Sequence, residues 1–497
     1  MLHLKSFLQK FFLNMYKIIY LIKYFKRMFK NLLIFLFLFC SFFKFAHSEE
    51  NINLPKKNKN LCNYGYHLSN NNYTFPDYIK KITKQNQIKT LDNDINEIED
   101  NLGGKYIDKR FTIKELSALD KPNKGKHESI ASLKIINNQL YGVSRHGYIS
   151  KIDVDNNSKF EMLLDMSNNV STDHSEAGLL DFTILDTDGE NYIFLIYYVK
   201  PNGEVKVSNI LSAVWVGKDK KISKEKILFY FDKSKLTGSD EDYGHNGGNI
   251  RYIKNEVYLS LGDFGYLDKN LGEKSYNLNY LIGKIIRIKL LNIPSIAKGM
   301  ESLDSLDYAA HEDNPFFSKK DVCNEIYSLG FRNPWRFVLD PYSNNLFVGD
   351  VGWSDIEEIN LASAGSFHGW DIKEGNECLE DNRLFEVCKQ GIVDRYITNP
   401  LITHLHGGKQ NIVAIIGGDF LYGENKPKIE NPYIYGDFEG SIHMIIDNKH
   451  KMISNYLNRK GYITSFASDR NGKIYFSVFS APPFDFAKIF VIETKDK

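Results

Sequence analysis

The chain has 497 residues, and its 63 lysine and arginine side chains almost balance its 62 aspartates and glutamates. This balance argues against nucleic acid or an acidic membrane surface as the partner, because both call for a strongly basic protein surface. The length exceeds what one ordinary hydrophobic core can hold, and it therefore predicts a repeat architecture or several domains.

The first 48 residues have the layout of a secretory signal peptide. They carry eight Lys or Arg side chains and no acid, with an apolar run from Leu32 to Phe43 and the small-residue cleavage site Ala46-His47-Ser48. Such a run, at ~1.5 Å per residue, covers only about half of a bilayer core. We therefore predict a signal peptide at 1–48 and a mature chain that is secreted, or held in the secretory-pathway lumen, with no stable membrane span. A retained N-terminal anchor is the alternative.

Four cysteines remain after the predicted cleavage, and an even count in an oxidising compartment favours two disulfides. The ten-residue spacing of Cys378 and Cys388 indicates a staple within one loop. Cys323 follows a long insertion, residues 292–322, in which one helix is predicted near 295–310. We predict a second bridge from Cys323 to Cys62, which would pin the N-terminal extension to this insertion.

A strand-forming unit recurs from Phe111 onward, after a polar stretch at 49–110 that we interpret as an N-terminal extension. Each unit is a turn followed by a strand with a central aromatic residue. Six such units are present, and their aromatic residues are Tyr141, Tyr192, Tyr258, Phe347, Tyr435 and Tyr475. Repeated four-stranded units close into a ring and so remove exposed sheet edges. The repeats predict an all-β chain with a six-bladed β-propeller over 111–497; a pair of β-sandwiches or a β-helix is the alternative.

Two segments that precede predicted strands carry side chains suited to chemistry. His245 lies in a His-Asn-Gly-Gly run, where a neutral imidazole is the natural base near neutral pH. Arg332 and Asn333 offer donors for a carboxylate or a quinone oxygen. The alternatives are a turn histidine and a buried Arg-Asn pair that joins two blades.

The order of the motifs resembles one known family. Between Ile130 and Glu493 the chain contains Glu-x-Gly-Leu-Leu, His-Asn-Gly-Gly, Leu-Gly-Asp, Gly-Phe-Arg-Asn-Pro-Trp-Arg-Phe, Gly-Asp-Val-Gly, Glu-Glu-Ile-Asn and Gly-Trp, in that order. This order is similar to the soluble quinoprotein glucose/sorbosone dehydrogenase family, and the Arg-Asn-Pro-Trp-Arg run resembles its hedgehog-interacting-protein-like branch. The resemblance implies a six-bladed propeller, which agrees with the six repeats counted independently.

The resemblance also implies roles for individual residues. His245 matches the base that takes the proton from an aldose hydroxyl while hydride passes to pyrroloquinoline quinone (PQQ). Glu176, Arg332 and Asn333 match positions that contact the quinone.

Two calcium sites are implied as well. The backbone carbonyls of Gly352 and Trp353 match ligands of a Ca2+ ion held against the cofactor, and Glu358 matches a carboxylate of a structural Ca2+ site. These oxygen donors suit a hard cation.

Several positions depart from the family pattern where the cofactor's charge must be met. Glu176 stands where glucose-oxidising members have glutamine, and its carboxylate would repel a tricarboxylate. Asn249 and His368 stand where many members have Arg and Tyr, and 463–472 lacks the expected paired cations. Burying three carboxylates without cationic partners would cost on the order of several kcal/mol.

Three functions therefore remain open at this stage. The first is a PQQ- and Ca2+-dependent aldose dehydrogenase, favoured by His245, Arg332 and Asn333. The second is a secreted propeller without redox chemistry that binds an extracellular protein or a glycan, favoured by Glu176 and the missing late cations. The third is a Ca2+-dependent hydrolase on a similar propeller.

Overall fold

The computed structural model describes residues 62, 90–91, 106–118, 130–155, 159–200, 208–233, 236, 244–265, 273–340, 343–406, 412–421, 432–455, 457, 461–479 and 487–495. The predicted signal peptide at 1–48 lies outside these residues. Within them the chain forms six antiparallel sheets arranged as the blades of a β-propeller, as the repeats predicted. None of the helices in this described part is long and apolar enough to cross a membrane.

The first three blades follow an initial strand, β1 (Phe111–Ala118). Blade one contains β2 (Ile130–Ile136), β3 (Gln139–Ser144), β4 (Tyr148–Asp153) and β5 (Lys159–Asp165). Blade two contains β6 (Leu179–Thr187), β7 (Tyr192–Lys200), β8 (Ser208–Val216) and β9 (Ile222–Asp232). Blade three contains β10 (Ile250–Ile253), β11 (Glu256–Leu261), helix α1 (Glu273–Tyr276), β12 (Lys284–Leu291), β13 (Asp307–Ala310) and β14 (Ile326–Leu329); β13 and β14 both pair with β12.

The last three blades complete the ring. Blade four contains β15 (Pro334–Leu339), β16 (Leu346–Asp350), β17 (Ile356–Ala362), the ribbon β18 (Lys373–Glu374) with β19 (Glu377–Cys378), helix α2 (Phe385–Lys389) and β20 (Ile402–Leu405). Blade five contains β21 (Ile415–Phe420), β22 (Tyr433–Asp437), β23 (Ile442–Ile446) and β24 (Lys449–Ser454). Blade six contains β25 (Tyr462–Ser468), β26 (Lys473–Phe479) and β27 (Ala487–Thr494).

Strand β1 closes the propeller. It pairs antiparallel with β27, with Phe111 opposite Thr494, and so supplies the outermost strand of blade six. The two ends of the propeller sequence are thus joined in one sheet, which leaves no open blade at the seam.

The six aromatic residues found by sequence lie in equivalent places. Each is in the second strand of its blade, namely β3, β7, β11, β16, β22 and β26. A sheet that packs against neighbouring sheets on both faces needs apolar side chains on both faces. Its strands therefore show continuous apolar runs instead of alternating polar and apolar residues. Strand β7 shows this, because every residue from Tyr192 to Val199 is buried.

A buried polar network ties the inner strands of blades one to four together around the axis. The carboxylate of Asp181 accepts hydrogen bonds from Ser132 Oγ at 2.8 Å and from Asn249 Nδ2 at 2.7 Å, and it pairs with Lys134 Nζ at 2.8 Å. Asn249 Oδ1 in turn accepts the Phe337 N–H at 2.9 Å. Asn249, which replaces an arginine of the family pattern, is therefore a structural residue here.

The insertion at 292–322 differs from the prediction of one helix. It forms two short 3-10 helices, Ile296–Lys298 and Met300–Ser305, and then strand β13. Gly299 lies between them with φ of 77°, and this left-handed backbone ends the first turn before a helix can extend.

Both predicted disulfides are present. Cys62 is bonded to Cys323 and Cys378 to Cys388, with Cα atoms 5.4 and 5.9 Å apart. The first bridge attaches the N-terminal region to the insertion of blade three. Beside it the buried Glu325 accepts the Cys62 N–H through Oε1 at 2.7 Å, while its other oxygen, Oε2, has no hydrogen-bond partner in the part of the chain that the structure describes.

Glu325 is expected to make the protein less stable as the pH rises. Burial raises the pKa of its carboxyl from 4.5 to about 7. The folded state therefore holds the Glu325 proton more tightly than the unfolded state does. The protonated carboxyl makes its full contribution to the free energy of unfolding below pH 4.5, and this contribution is lost as the pH rises through 7. Glu325→Gln should raise the free energy of unfolding above pH 7 by about 3 kcal/mol.

Urea unfolding at several pH values measures this effect. The exposed Glu377→Gln is the matched control and should leave the pH dependence unchanged. Equal pH dependence in Glu325→Gln and the unmodified protein would contradict the prediction.

Candidate active site

Three loops that precede the inner strands of blades two, three and four meet near the propeller axis. Glu176 Oε2 accepts the backbone N–H of His245 at 2.8 Å and the side-chain amide of Asn333 at 3.2 Å. Asn333 Oδ1 accepts the Gly247 N–H at 3.2 Å. Residues far apart in sequence are thus brought into one hydrogen-bonded group, because the start of every inner strand faces the same end of the axis.

His245 forms a dyad with Asp263. Imidazole Nδ1 lies 2.7 Å from Asp263 Oδ1, and the histidine side chain keeps 17% of its surface exposed. Asp263 also accepts the Gly265 N–H through Oδ1 and the Trp370 Nε1–H, at 2.9 Å, through Oδ2. Burial raises the pKa of Asp263, but attraction to His245 and Arg332 outweighs it and holds the pKa below its ordinary value.

An ionised Asp263 can only accept hydrogen bonds, so the dyad places the imidazole proton on Nδ1. The lone pair of Nε2 is then free to accept a proton from a bound molecule. Among the described residues, no hydrogen-bond partner occupies Nε2. This arrangement is that of a general base held by a carboxylate.

Glycines make the close approach of these loops possible. His245 itself has φ of 45°, and Gly247 follows with φ of 58°. A Cβ atom at Gly262 would overlap the carbonyl oxygen of His245. The Gly-Asp pair at the end of β11 therefore lets the backbone of the histidine loop lie directly against Asp263.

Arg332 connects the dyad to the Gly352 loop. Its guanidinium lies 5.6 Å from the Trp370 ring centre and donates from Nη1 to the carbonyl oxygens of Val351 at 3.1 Å and Gly352 at 2.5 Å. Its backbone carbonyl accepts the Asp263 N–H at 2.8 Å. Arg332 thus positions Trp370 and Asp263 while holding the carbonyl that the family resemblance assigned to calcium.

The remaining residues assigned to calcium lie in a separate hydrogen-bonded group. Trp353 is 45% exposed, and its N–H donates to Glu374 Oε1 at 2.6 Å. Glu358 is buried in β17, where it accepts the Gly375 N–H at 2.5 Å and the Asn360 amide at 2.8 Å. Burial, with repulsion from Glu374 and Glu357, raises the pKa of Glu358 to about 7.

His368, a second departure from the family pattern, is a structural residue. It is buried, its ring stacks on Phe331, and its two nitrogens contact Ser366 Oγ at 2.9 Å and Asn360 Oδ1 at 3.2 Å. Burial lowers its pKa to about 3, so the ring is neutral at physiological pH.

A cavity of about 680 Å³ lies next to the dyad loops on the propeller axis. One wall carries polar groups, namely Arg145, His146, Ser175, Glu176 and Asn333. The facing wall, from blades five and six, is largely apolar, with Val413, Ala414, Ile416, Phe438, Thr464 and Phe479. The cavity is thus large enough for a flat aromatic molecule or a sugar, with its polar contacts concentrated on one side.

Sequence reasoning missed three parts of this site. Asp263 was considered only as part of the Leu-Gly-Asp motif, although a carboxylate 18 positions after His245 is a possible partner for its imidazole. Trp370 belongs to a noted Gly-Trp motif but was given no role. Arg145 has no motif around it, and only the folded ring brings it to the cavity.

Comparison with known proteins identifies the family to which the chain belongs. The sequence model of the glucose/sorbosone dehydrogenase family matches residues 131–477. The HIPL1 protein of Arabidopsis thaliana is 30% identical over 209 residues, which cover 40% of this chain but only 29% of that protein.

Two solved structures share the fold. The apo-form of the soluble aldose sugar dehydrogenase of Escherichia coli superposes with a TM-score of 0.57 at 16% identity, covering 78% of this chain and all of that one. The PQQ-bound form of the aldose sugar dehydrogenase of Streptomyces coelicolor gives 0.53 at 16% identity, with the same coverage. At this identity the structures establish the fold, and the match of the family model over most of the propeller shows that the chain belongs to the glucose/sorbosone dehydrogenase family.

Proposed function

We propose that the protein is a PQQ-dependent sugar dehydrogenase that acts outside the cytosol, with His245 as the base that accepts a proton from a sugar hydroxyl. The observation that carries the proposal is the His245–Asp263 dyad, with 2.7 Å between Nδ1 and Oδ1. The backbone of His245 is hydrogen-bonded to Glu176, which lines the axial cavity. Two disulfides support an oxidising compartment. An aldose is the substrate that the family membership suggests.

The residues of the chain act mainly on the proton. Asp263 orients the imidazole and stabilises the positive charge that develops when Nε2 takes the hydroxyl proton. Trp370 and Arg332 in turn hold Asp263, so the dyad is positioned before substrate binds. PQQ, when bound, would accept the hydride from the sugar carbon that bears this hydroxyl.

The polar wall of the cavity fits such a cofactor. Arg145 and His146 would hold carboxylates, and Asn333 would contact a ring oxygen. Arg332 would have to turn from the Val351 and Gly352 carbonyls toward the cavity to contact another. The negative charge of Glu176 is partly offset, because its carboxylate already accepts hydrogen bonds from His245 and Asn333. The aromatic and aliphatic side chains of the facing wall suit a flat ring.

The calcium ligands fit less well. Arg332 occupies the carbonyl of Gly352, so a Ca2+ ion at that oxygen requires the guanidinium to swing away. Glu358 already has a hydrogen-bond partner on each carboxylate oxygen. We therefore propose that Ca2+ binds at Gly352 and Trp353 only together with the cofactor, whose carboxylates would add oxygen ligands, and that Glu358 belongs to a separate structural site.

A second candidate function is binding of a glycan or an extracellular protein without redox chemistry. It is favoured by the apolar wall, because the residues described there, including Phe438 and Phe479, provide no cation for a tricarboxylate. An aromatic and aliphatic wall opposite a polar one is also suited to a sugar ring or a peptide side chain.

Absorption spectroscopy separates the two functions. PQQ is titrated into the purified, non-reduced protein with Ca2+, and an aldose is then added. We expect binding at micromolar PQQ and bleaching to the reduced quinone, with His245→Ala binding PQQ but failing to bleach it. His311→Ala, at the rim of the same blade, is the matched control and should bleach normally. Absence of PQQ binding would refute the dehydrogenase and leave partner binding.

A further inference from the structure

Three histidines meet between blades four and five, away from the dyad loops. His404 lies in β20, His443 in β23 and His450 in β24. Their side chains are 2%, 0% and 1% exposed, and one ring nitrogen from each lies within 4.8 Å of the others. Three buried imidazoles gathered in this way form a donor set for a metal ion.

Tyr435 brings an oxygen to the same point. Its hydroxyl lies 2.8 Å from His404 Nε2 and 2.6 Å from His450 Nε2. The hydroxyl has a single hydrogen, so it can donate to only one of these nitrogens and must accept from the other. The Nε2 atoms of His404 and His450 therefore point toward the same oxygen, as two ligands of one metal ion point toward that ion.

The hydrogen bonding of the cluster is incomplete. His443 Nε2 contacts Ser441 Oγ at 2.9 Å, but its Nδ1 is buried and has no hydrogen-bond partner among the described residues. Unpaired polar atoms in the interior are costly and rare in folded proteins, and they call for an explanation such as a bound ion.

We propose that His404, His443 and His450 bind a single structural Zn2+ ion, with the Tyr435 oxygen as the fourth ligand. Imidazole ligands suit Zn2+ and other first-row transition metals, whereas Ca2+ and Mg2+ take oxygen ligands. In a tetrahedral zinc site the ligand nitrogens lie about 3.4 Å apart, so the rings must move together by roughly an ångström. The ion would join blade four to blade five.

Metal content and thermal unfolding test the proposal. The full chain is purified without a polyhistidine tag, dialysed, and assayed for zinc by mass spectrometry. We expect about one zinc per chain, a melting temperature that falls when a strong chelator removes the metal, and recovery on adding Zn2+. Co2+ in place of Zn2+ should give the visible absorption of a tetrahedral site.

Variants separate the cluster from adventitious binding. His443→Gln should lose the bound zinc and the Co2+ spectrum, and Tyr435→Phe should weaken zinc binding by roughly tenfold or more. His368→Gln, a substitution of another buried histidine, is the matched control and should keep one zinc per chain.

Two results would overturn the inference. One is unmodified protein that takes up neither Zn2+ nor Co2+ after chelation, which would mean that the cluster is only a hydrogen-bonded group. The other is His443→Gln with undiminished zinc, which would place the ion elsewhere. The first test uses unmodified protein, so it decides the question even if a variant fails to fold.

Discussion

Asp263→Asn is expected to lower kcat for sugar oxidation by about 10³-fold. Both carboxylate oxygens of Asp263 accept hydrogen bonds, from His245 and Gly265 on one side and from Trp370 on the other. An asparagine must turn its NH2 group toward one of these donors. The imidazole then loses its acceptor or carries its proton on Nε2, and either change removes the base.

Steady-state kinetics and cofactor titration measure the effect. The loss should fall on kcat, with KM and PQQ affinity within about threefold, because in the proposed mechanism Asp263 acts through His245 on the transition state. Asp437→Asn is the matched control, since Asp437 ends β22 in a Gly-Asp pair like that of Asp263. Among the described residues its carboxylate accepts hydrogen bonds from backbone N–H groups alone, including those of Val413 and Glu439. An Asp263→Asn enzyme with normal kcat would show that the dyad has no role in catalysis.

Replacing both Cys62 and Cys323 by alanine is expected to destabilise the protein by about 5 kcal/mol. The two cysteines are 261 residues apart, so the bridge removes a large loop entropy from the unfolded chain. The change also releases the N-terminal segment whose backbone contacts Glu325. Urea or thermal unfolding of the non-reduced variant gives the measurement.

The other disulfide provides an internal comparison. Cys378 and Cys388 close a loop of only ten residues, so their replacement by alanine should cost less, about 2–3 kcal/mol. Equal losses for the two double variants would contradict the loop-entropy explanation, and the destabilisation would then have to come from packing around each bridge.

Local signals in the sequence were sufficient for the blade pattern. Aromatic residues such as Tyr258 and Tyr475 follow turns at each repeat, and this pairing of turn and strand depends only on neighbouring residues. The disulfide pairing could also be predicted from the sequence, because four cysteines allow few pairings. Local propensity was wrong in the insertion at 292–322, where Gly299 interrupts the helix that composition favoured.

The sequence by itself determined the number of blades, because this depends on repeats along the chain. It also proposed His245 as a base and Arg332 and Asn333 as contact residues, because these stand in recognisable motifs. Only the tertiary structure decided which carboxylate holds His245, where Arg332 points, and that three histidines from different strands meet. Closing the ring creates these contacts between residues that are distant in sequence, and no local pattern specifies distances across the axis or between blades.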